Sequence, residues 1–278
     1  MNERDIESFW DKNPCGEQLV GGLSADHEEF FARYDAYRYQ KEAHLLECLD
    51  RVDWAGKDVL EVGLGQGADA EQIVRRGGRW SGLDLTKEAV ARTAMRMKLR
   101  GLDHGVIRQG SILRCPFEDD SFDLVFSHGV LHHVPDVRAA SGELHRVLRP
   151  GGELVVMVYA RWSLNYLVSI SILRRLGLIG MRAAGVSGRG LFAAHVARSK
   201  EEGLLEYLKM GNFIHRNSDG PDNPYSKVYD RASLATDFAE FEVTRTYKRF
   251  MHAPPLPVTN WPGGRWMGWH LWAHLKPR

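Results

Sequence analysis

The sequence predicts an α/β fold, in which a mostly parallel sheet of seven strands carries helices on both faces and ends in an antiparallel pair of C-terminal strands. Between residues 58 and 159, short apolar runs alternate with helical patterns, and this alternation is typical of a parallel sheet covered by helices. Two further strand patterns lie at residues 241–250 and 267–276. Of the 278 residues, 44% are hydrophobic, which is enough to bury a large core.

The first five strands are predicted where apolar runs stand between turn signals, at residues 58–63, 80–85, 105–110, 122–128 and 153–159. Three helices are predicted between them. The first has the sequence GADAEQIVRR, the second runs from a cap at Thr86 to about Arg100, and the third runs from about Val137 to Leu148 and is followed by an RPGG turn.

The rest of the chain is predicted to surround this core. Residues 1–50, rich in aromatic side chains, are predicted to form an N-terminal helical lid, and residues 51–160 the core. Residues 161–240 are predicted to form a helical insertion on the substrate side, and residues 241–278 the closing strands of the same sheet. Between those strands, residues 251–264 are rich in proline and predict a loop.

The composition limits the partners. With 37 basic and 36 acidic residues the net charge is +1, and the charges are scattered, so no nucleic acid partner is predicted. The three cysteines are isolated in sequence, which favours reduced thiols and a cytoplasmic location. Residues 162–180 are apolar, but Arg174 and Arg175 interrupt them, so the run is shorter than the roughly 20 residues of a membrane span. This segment predicts a buried or interface helix, and membrane contact is not favoured.

Three glycines stand where the first strand turns into the first helix, in the sequence EVGLGQGADA. Without Cβ atoms, Gly63, Gly65 and Gly67 would let a ligand approach the backbone at the carboxyl edge of the sheet. A nucleoside-containing cofactor is the first interpretation. The spacing with Ala68 would also suit a dinucleotide site, and packing alone could explain the glycines.

Two carboxylates refine this interpretation. Asp84 closes the second strand 17 positions after Gly67, which is the separation that brings a carboxylate to a cofactor ribose, although it could instead cap the helix that begins near Thr86. Glu61 lies two residues before the first glycine. It would repel a pyrophosphate but would suit the ammonium group of an amino-acid-bearing nucleoside.

Four motifs in order carry a family resemblance: VLEVGLGQG, GLDLT, PFEDDSFDLVFSHGVLHHVPD and ELHRVLRPGGELVVMVY. Over residues 45–160 the chain resembles class I S-adenosylmethionine-dependent methyltransferases of the broad small-molecule and quinone group. The resemblance implies a Rossmann-like sheet and S-adenosylmethionine as the cofactor. It implies these cofactor-binding residues: Glu61, Gly63, Gly65, Gly67, Asp84, Leu85, Ser111, Ile112, Ser127 and His128. The chain departs from the family at Ser111, where an Asp is usual.

Methyl transfer from a sulfonium is an in-line displacement, for which a protein aligns the reactants and can add a general base. The sequence offers His132 and His133 as catalytic candidates after the fourth strand, although a histidine pair here could also only shape the pocket. His128 and His132 have a spacing that would suit a metal, but no carboxylate or cysteine falls in step with them. No metal site is therefore predicted.

Substrate contacts are expected outside the shared core. Tyr34 and Tyr37 could face the sulfonium from the lid, or could simply pack on the sheet. On the other side, a polar loop and the residue after the fifth strand could line the substrate or lie in solvent, and the candidates are Arg161, His215, Arg216 and Tyr225.

Four functions remain open from the sequence. The first is methyl transfer to a small-molecule acceptor, and the second is methyl transfer to a lipid or quinone-like acceptor. The third is an NAD(P)-dependent oxidoreductase, against which Glu61 and the lack of a Tyr-x-x-x-Lys pattern argue. The fourth is a non-catalytic cofactor-binding protein. A homo-oligomer remains open as well.

Overall fold

A computed structural model describes residues 2–17, 21, 26–259 and 261–278. A seven-stranded sheet forms its centre, and its strands are β1 Asp58–Val62, β2 Arg79–Asp84, β3 Ile107–Gln109, β4 Phe122–His128, β5 Leu148–Tyr159, β6 Phe241–Arg249 and β7 His270–Pro277. Their spatial order is β3-β2-β1-β4-β5-β7-β6. The first five pair in parallel, and β7 runs antiparallel to both β5 and β6. The predicted fold class, a mostly parallel Rossmann-like sheet with an antiparallel C-terminal pair, is confirmed.

Helices flank the sheet. In the described part of the chain they are α1 Glu3–Lys12, α2 His27–Lys41, α3 His44–Leu49, α4 Ala68–Arg75, α5 Lys87–Leu99, α6 Val137–Val147, α7 Arg175–Ala183, α8 Leu191–Glu201, α9 Leu204–Tyr207, α10 Met210–Ser218, α11 Arg231–Asp237 and α12 Gly264–Met267. A π-helix, Asn165–Arg174, leads directly into α7. Side-chain caps set several N-termini: the Thr86 hydroxyl accepts the amide of Ala89 at 3.3 Å, as predicted, and Asp136 accepts the amide of Ala139.

Both faces of the central strands are buried, which explains their continuous apolar sequences. In β5, Val156 and Val158 pack in one core cluster, whereas Val155 and Met157 pack in the other, because successive side chains point to opposite faces. The carboxyl ends of the parallel strands therefore stand between two packed helical layers. Any side chain placed at those ends is held by a rigid scaffold.

The predicted elements and the structure differ at two places. The RPGG sequence, predicted as a turn, lies inside β5, where Gly151 adopts a φ of +80° and the pairing with β4 shifts register near Phe122. The last strand begins at His270 rather than residue 267, because Gly264–Met267 form a helical turn that closes with the Gly268 amide on the Gly264 carbonyl. The predicted boundaries of the four segments stay predictions.

The insertion after β5 has a hydrophobic cluster of its own, which includes Ile170, Leu178, Val196 and Tyr207 together with Tyr159 of the sheet. No helix among the described residues is long and apolar enough to cross a membrane. The helical segment expected from residues 162–180 is present as the π-helix and α7, and Ile170 and Leu178 pack in this cluster.

Candidate active site

A cavity lies beyond the carboxyl ends of β1, β2 and β4 and encloses about 1130 Å³ including its open mouth. The floor is made by the residues that end these strands: Val62, Gly63, Leu64 and Gly65; Leu83, Asp84, Leu85 and Thr86; His128, Gly129 and Val130. The N-terminal part of the chain covers it, through α1, Cys15 and Arg38 of α2. Ligands of open α/β sheets bind at this edge, so the cavity is the candidate active site.

The three glycines after β1 have different neighbours. All three have positive φ, between +52° and +85°. A Cβ on Gly63 would lie 2.0 Å from a methyl of Val130, and a Cβ on Gly67 would lie 3.1 Å from Thr93 of α5. At Gly65 the nearest atom would be the Cβ of Cys15 at 3.8 Å. Gly63 and Gly67 are therefore needed for packing, whereas at Gly65, which lines the cavity, a Cβ would make only an ordinary van der Waals contact.

Asp84 is held on the cavity wall by the glycine loop. One carboxylate oxygen accepts the amide of Leu64 at 2.6 Å, and the other accepts the amide and the hydroxyl of Thr86, both at 2.8 Å. Burial raises the pKa of Asp84, and these hydrogen bonds oppose that rise. Asp84 thus lines the cavity and also helps to cap α5, because its hydrogen bonds from Thr86 shape the start of that helix.

A charged group from three elements lies at the other end of the glycine loop. It comprises Arg38, Asp69 and His128 and is called the Arg38 cluster. The Arg38 guanidinium lies 2.7 Å from Asp69 Oδ2, and His128 Nδ1 lies 2.8 Å from the same oxygen. Burial alone would raise the pKa of Asp69, but Arg38 and His128 hold it below its usual range. The cavity therefore contains a paired cation and anion, and the Nε2 of His128 has no hydrogen-bond partner in the described structure.

Glu61 does not line this cavity. It is 1% exposed, and its carboxyl group accepts a hydrogen bond from Trp80 Nε1 at 2.7 Å. Burial and then the charge of Asp69 raise the pKa of Glu61 well above its usual value. Asp69 and Asp84 are the acidic side chains that line the cavity next to the glycine loop.

A second polar group, the His132 cluster, comprises His132, His133, Asp219 and Tyr159. His133 lines the cavity, donates from Nδ1 to the Tyr225 carbonyl at 2.7 Å, and has its Nε2 3.5 Å from Asp219 Oδ2. The Tyr159 hydroxyl donates to the other oxygen of Asp219 at 2.7 Å. His132 is fully buried against the Tyr159 ring, and neither of its nitrogens has a partner among the described residues.

The His132 cluster contains a metal-type donor set. Ligand atoms of His132, His133 and Asp219 all lie within 4.8 Å of one another. In the sequence no carboxylate falls in step with His128 and His132, but folding brings Asp219, 86 residues after His133, next to His132 and His133. Burial, followed by the nearby His133 and His128, lowers the pKa of His132 well below its usual value.

Of the other residues predicted from the sequence, Leu85 and Ile112 line the cavity and the rest lie elsewhere. Ser127 donates to the Val62 carbonyl, and Ser111 to Glu3 of α1. The Tyr34 hydroxyl accepts a hydrogen bond from Arg38, and Tyr37 lies under Lys41. The remaining candidates are engaged outside the cavity: Arg161 with Asp230, Arg216 with Glu202, His215 with Asn223 through its carbonyl, and Tyr225 with His133 through its carbonyl.

Known proteins resemble the core that builds this site. Residues 60–156 match the family model described as a methyltransferase domain. A Mycolicibacterium smegmatis protein named a probable S-adenosylmethionine-dependent methyltransferase is 36% identical over 141 residues, which are 51% of this chain and 49% of that protein. Residues 60–156 therefore form a methyltransferase domain.

Other proteins similar to this domain are named for different substrates. A Mycobacterium tuberculosis phthiotriol/phenolphthiotriol dimycocerosates methyltransferase is 38% identical over 104 residues, 37% of each chain. The match thus spans half or less of these curated relatives. The structure of a Streptomyces coelicolor geranyl diphosphate C-methyltransferase, in complex with Mg²⁺, geranyl diphosphate and S-adenosyl-L-homocysteine, covers 99% of this chain and 97% of its own, with a TM-score of 0.58 and 15% identity, so the two share a fold.

The sequence did not predict the ion pair between Arg38 and Asp69, which gives the cavity its charged wall. Asp69 stands in the first turn of α4, two residues after Gly67, where an acidic residue favourable to a helix N-terminus needs no other explanation. Arg38 lies 31 residues earlier, in a helix outside the shared motifs. No spacing rule connects the two, so only the docking of α2 on α4 could reveal the pair.

Proposed function

We propose that the protein transfers a methyl group from S-adenosylmethionine to a small-molecule acceptor held in the same cavity. One observation carries this proposal: the wall of the cavity combines an open glycine loop, a ribose-type carboxylate at Asp84 and the paired charges of Arg38 and Asp69. The cofactor supplies a methyl group that is already activated by the positive charge of its sulfonium. The protein then has to bind the cofactor and the acceptor, orient them, and accept a proton from the acceptor.

The donor set fits the cofactor. At Gly65, the absence of a side chain leaves the backbone open to the methionine portion. Asp84 stands where a ribose hydroxyl could donate a hydrogen bond to Oδ2 of the carboxylate, because Oδ1 already accepts both the amide and the hydroxyl of Thr86. Leu85 and Ile112 are the apolar residues that would flank the adenine. Ser111 supports this end indirectly, since it hydrogen-bonds Glu3 of the lid.

The amino-acid end of the cofactor is matched by the Arg38 cluster. An α-carboxylate would accept from the Arg38 guanidinium, and an α-ammonium group would donate to Asp69. We assign the ammonium contact to Asp69 rather than to Glu61, because Glu61 is buried on Trp80 and lies outside the cavity wall. A zwitterion suits this site better than a lone charge, since the cluster itself contains both signs.

The His132 cluster supports the acceptor side. With its Nδ1 proton committed to the Tyr225 carbonyl, His133 has a lone pair on Nε2, and Asp219 lies beside that atom. We infer that His133 takes a proton from a hydroxyl or ammonium acceptor and that Asp219 stabilises the resulting imidazolium. Tyr159 fixes the Asp219 carboxylate, and His132 shapes the apolar side of the pocket.

Thermal melting tests the cofactor part of this proposal. S-adenosylmethionine and S-adenosylhomocysteine should each raise the melting temperature, and NAD should not, because only a ligand that binds the native state stabilises it. Asp84→Asn and Asp69→Asn should each abolish the shift, while Asp103→Asn, at an exposed aspartate away from the cavity, should retain it. Stabilisation by NAD alone would refute the proposal.

A further inference from the structure

The insertion after β5 presents an apolar surface to solvent. Its inner side is buried through Ile170, Leu178 and Val196. Its outer side exposes large apolar residues at helical spacing, followed by more at the start of α8, and they are Ile172, Leu176, Ile179, Val186, Leu191 and Phe192. Leu176 is 61% exposed and Leu191 65% exposed. We call residues 172–192 the insertion face.

The charges of the same region are of one sign. Residues 161–200 contain no Asp or Glu, and their basic residues are Arg161, Arg174, Arg175, Arg182, Arg189, Arg198 and Lys200. The whole chain has a net charge of only +1, so the remainder of the protein is net negative. Within the described structure, Arg175, Arg182 and Arg189 form no ion pair with an acidic side chain. The insertion face is thus a patch of apolar side chains among unpaired cations.

We propose that the insertion face docks on the surface of an anionic phospholipid bilayer. Exposed leucine, isoleucine and phenylalanine side chains would enter the boundary between headgroups and acyl chains, and the unpaired arginines would contact lipid phosphates. This is the arrangement of helices that lie in the plane of a membrane, which combine an apolar face with a basic rim and do not span the bilayer.

The positive charge of the insertion face favours an anionic bilayer over the other possible binding partners of this surface. A second copy related by two-fold symmetry would bring the same arginines together, and like charges would oppose that contact. Nucleic acid would satisfy the arginines but would leave the leucines and Phe192 in water. An anionic lipid surface satisfies both chemistries at once.

The proposal goes beyond methyl transfer, since the residues that line the cavity all lie between Glu3 and Pro135. Variants of the insertion face therefore leave the cofactor site intact. Their ability to be stabilised by S-adenosylmethionine reports on folding, independently of whether they bind vesicles.

Co-sedimentation with vesicles is the test. The full chain should sediment with vesicles of phosphatidylcholine and phosphatidylglycerol, should stay in the supernatant with phosphatidylcholine alone, and should be released by salt. Replacing Arg175, Arg182 and Arg189 together by Gln should weaken the binding by about 100-fold, taking the usual contribution of a basic residue near an anionic surface. The double variant Leu176→Glu, Phe192→Glu should lose it.

The matched control is Leu99→Glu, Val106→Glu, which adds the same charge at exposed apolar positions beside β3. It should bind vesicles as the unmodified chain does. Equal binding to neutral vesicles, no binding to anionic vesicles, or an effect of the control as large as that of Leu176→Glu, Phe192→Glu would each overturn the proposal. A dimer seen by light scattering that Leu176→Glu disrupts, without vesicle binding, would assign the face to self-association instead.

Discussion

The two polar groups on the cavity differ in how their charges are arranged. In the Arg38 cluster a guanidinium and a carboxylate lie in direct contact at 2.7 Å. In the His132 cluster a carboxylate faces a ring nitrogen at 3.5 Å, and no lysine or arginine takes part. Both groups are largely buried, so the electrostatic interactions within each group act in a medium of low polarity.

The comparison indicates that the two clusters have different functions. A fixed ion pair changes little when a proton is offered, because arginine stays charged and holds the pKa of Asp69 low. A neutral imidazole beside a carboxylate can gain a proton, and the carboxylate then stabilises the new charge. The Arg38 cluster is thus suited to binding a charged ligand, and the His132 cluster to moving a proton.

The largest expected effect is on catalysis. We expect His133→Gln to lower kcat by about 10²- to 10⁴-fold, the usual contribution of a general base, while the affinity for S-adenosylmethionine stays unchanged. Transfer of a radiolabelled methyl group to an acceptor found by screening measures the rate, and calorimetry measures cofactor affinity. His104→Gln, at an exposed position, is the control. A variant within twofold of the unmodified kcat would remove His133 from the mechanism.

The next effect concerns stability at the Arg38 cluster. Arg38→Ala leaves Asp69 as a buried carboxylate without its cation, so the free energy of unfolding should fall by about 3–5 kcal/mol at pH 7. Urea denaturation measures it. Arg33→Ala, which removes an exposed ion pair with Glu29 on the same helix, should cost no more than about 0.5 kcal/mol. Similar losses in the two variants would mean that the Arg38 contact contributes no more than a surface pair.

A smaller effect is expected from the hydroxyl that fixes Asp219. Tyr159→Phe removes a hydrogen bond to a carboxylate and should lower the free energy of unfolding by about 1.5 kcal/mol, the low end for such bonds because Asp219 is partly exposed. Tyr166→Phe, in the same region and without a hydroxyl hydrogen bond in the described structure, should stay within about 0.5 kcal/mol. The same urea experiment compares them, and equal values would show that the bond to Asp219 is not stabilising.

The smallest expected effect concerns the pH dependence of stability, which differs between the two clusters. Because the folded-state pKa of His132 is lowered, the unfolded chain binds more protons below about pH 6.5, and stability is lost as the pH falls through that value. Asp69 also has a lowered pKa, but its contribution is lost only below about pH 4. His132→Phe should therefore reduce the stability lost between pH 7 and 5.5 by about 1 kcal/mol.

Two comparisons check that result. His104→Phe should leave the loss between pH 7 and 5.5 unchanged, since His104 is exposed. Asp69→Asn should reduce the stability that is lost below about pH 4. An unchanged slope in His132→Phe would contradict the neutral state that burial imposes on this ring.

The sheet and the glycine loop were predictable because they depend on neighbours in sequence. Alternating apolar runs report strands that are buried on both faces, and the cap at Thr86 acts on an amide three residues away. The location of Glu61 was not predictable in the same way. Its place before the glycines suggested a ligand contact, but the pleat of β1 turns its side chain toward Trp80 of the neighbouring strand.

By itself, the sequence determined the fold class, the methyltransferase motifs and the edge of the sheet where the cavity lies, because strand and turn patterns are local. Only the tertiary structure decided which charges meet there. Arg38 reaches Asp69, and Asp219 reaches His133, across 31 and 86 residues of chain. Contacts of that length are set by how helices pack on the sheet, and packing depends on the shapes of all the buried side chains together rather than on any one spacing.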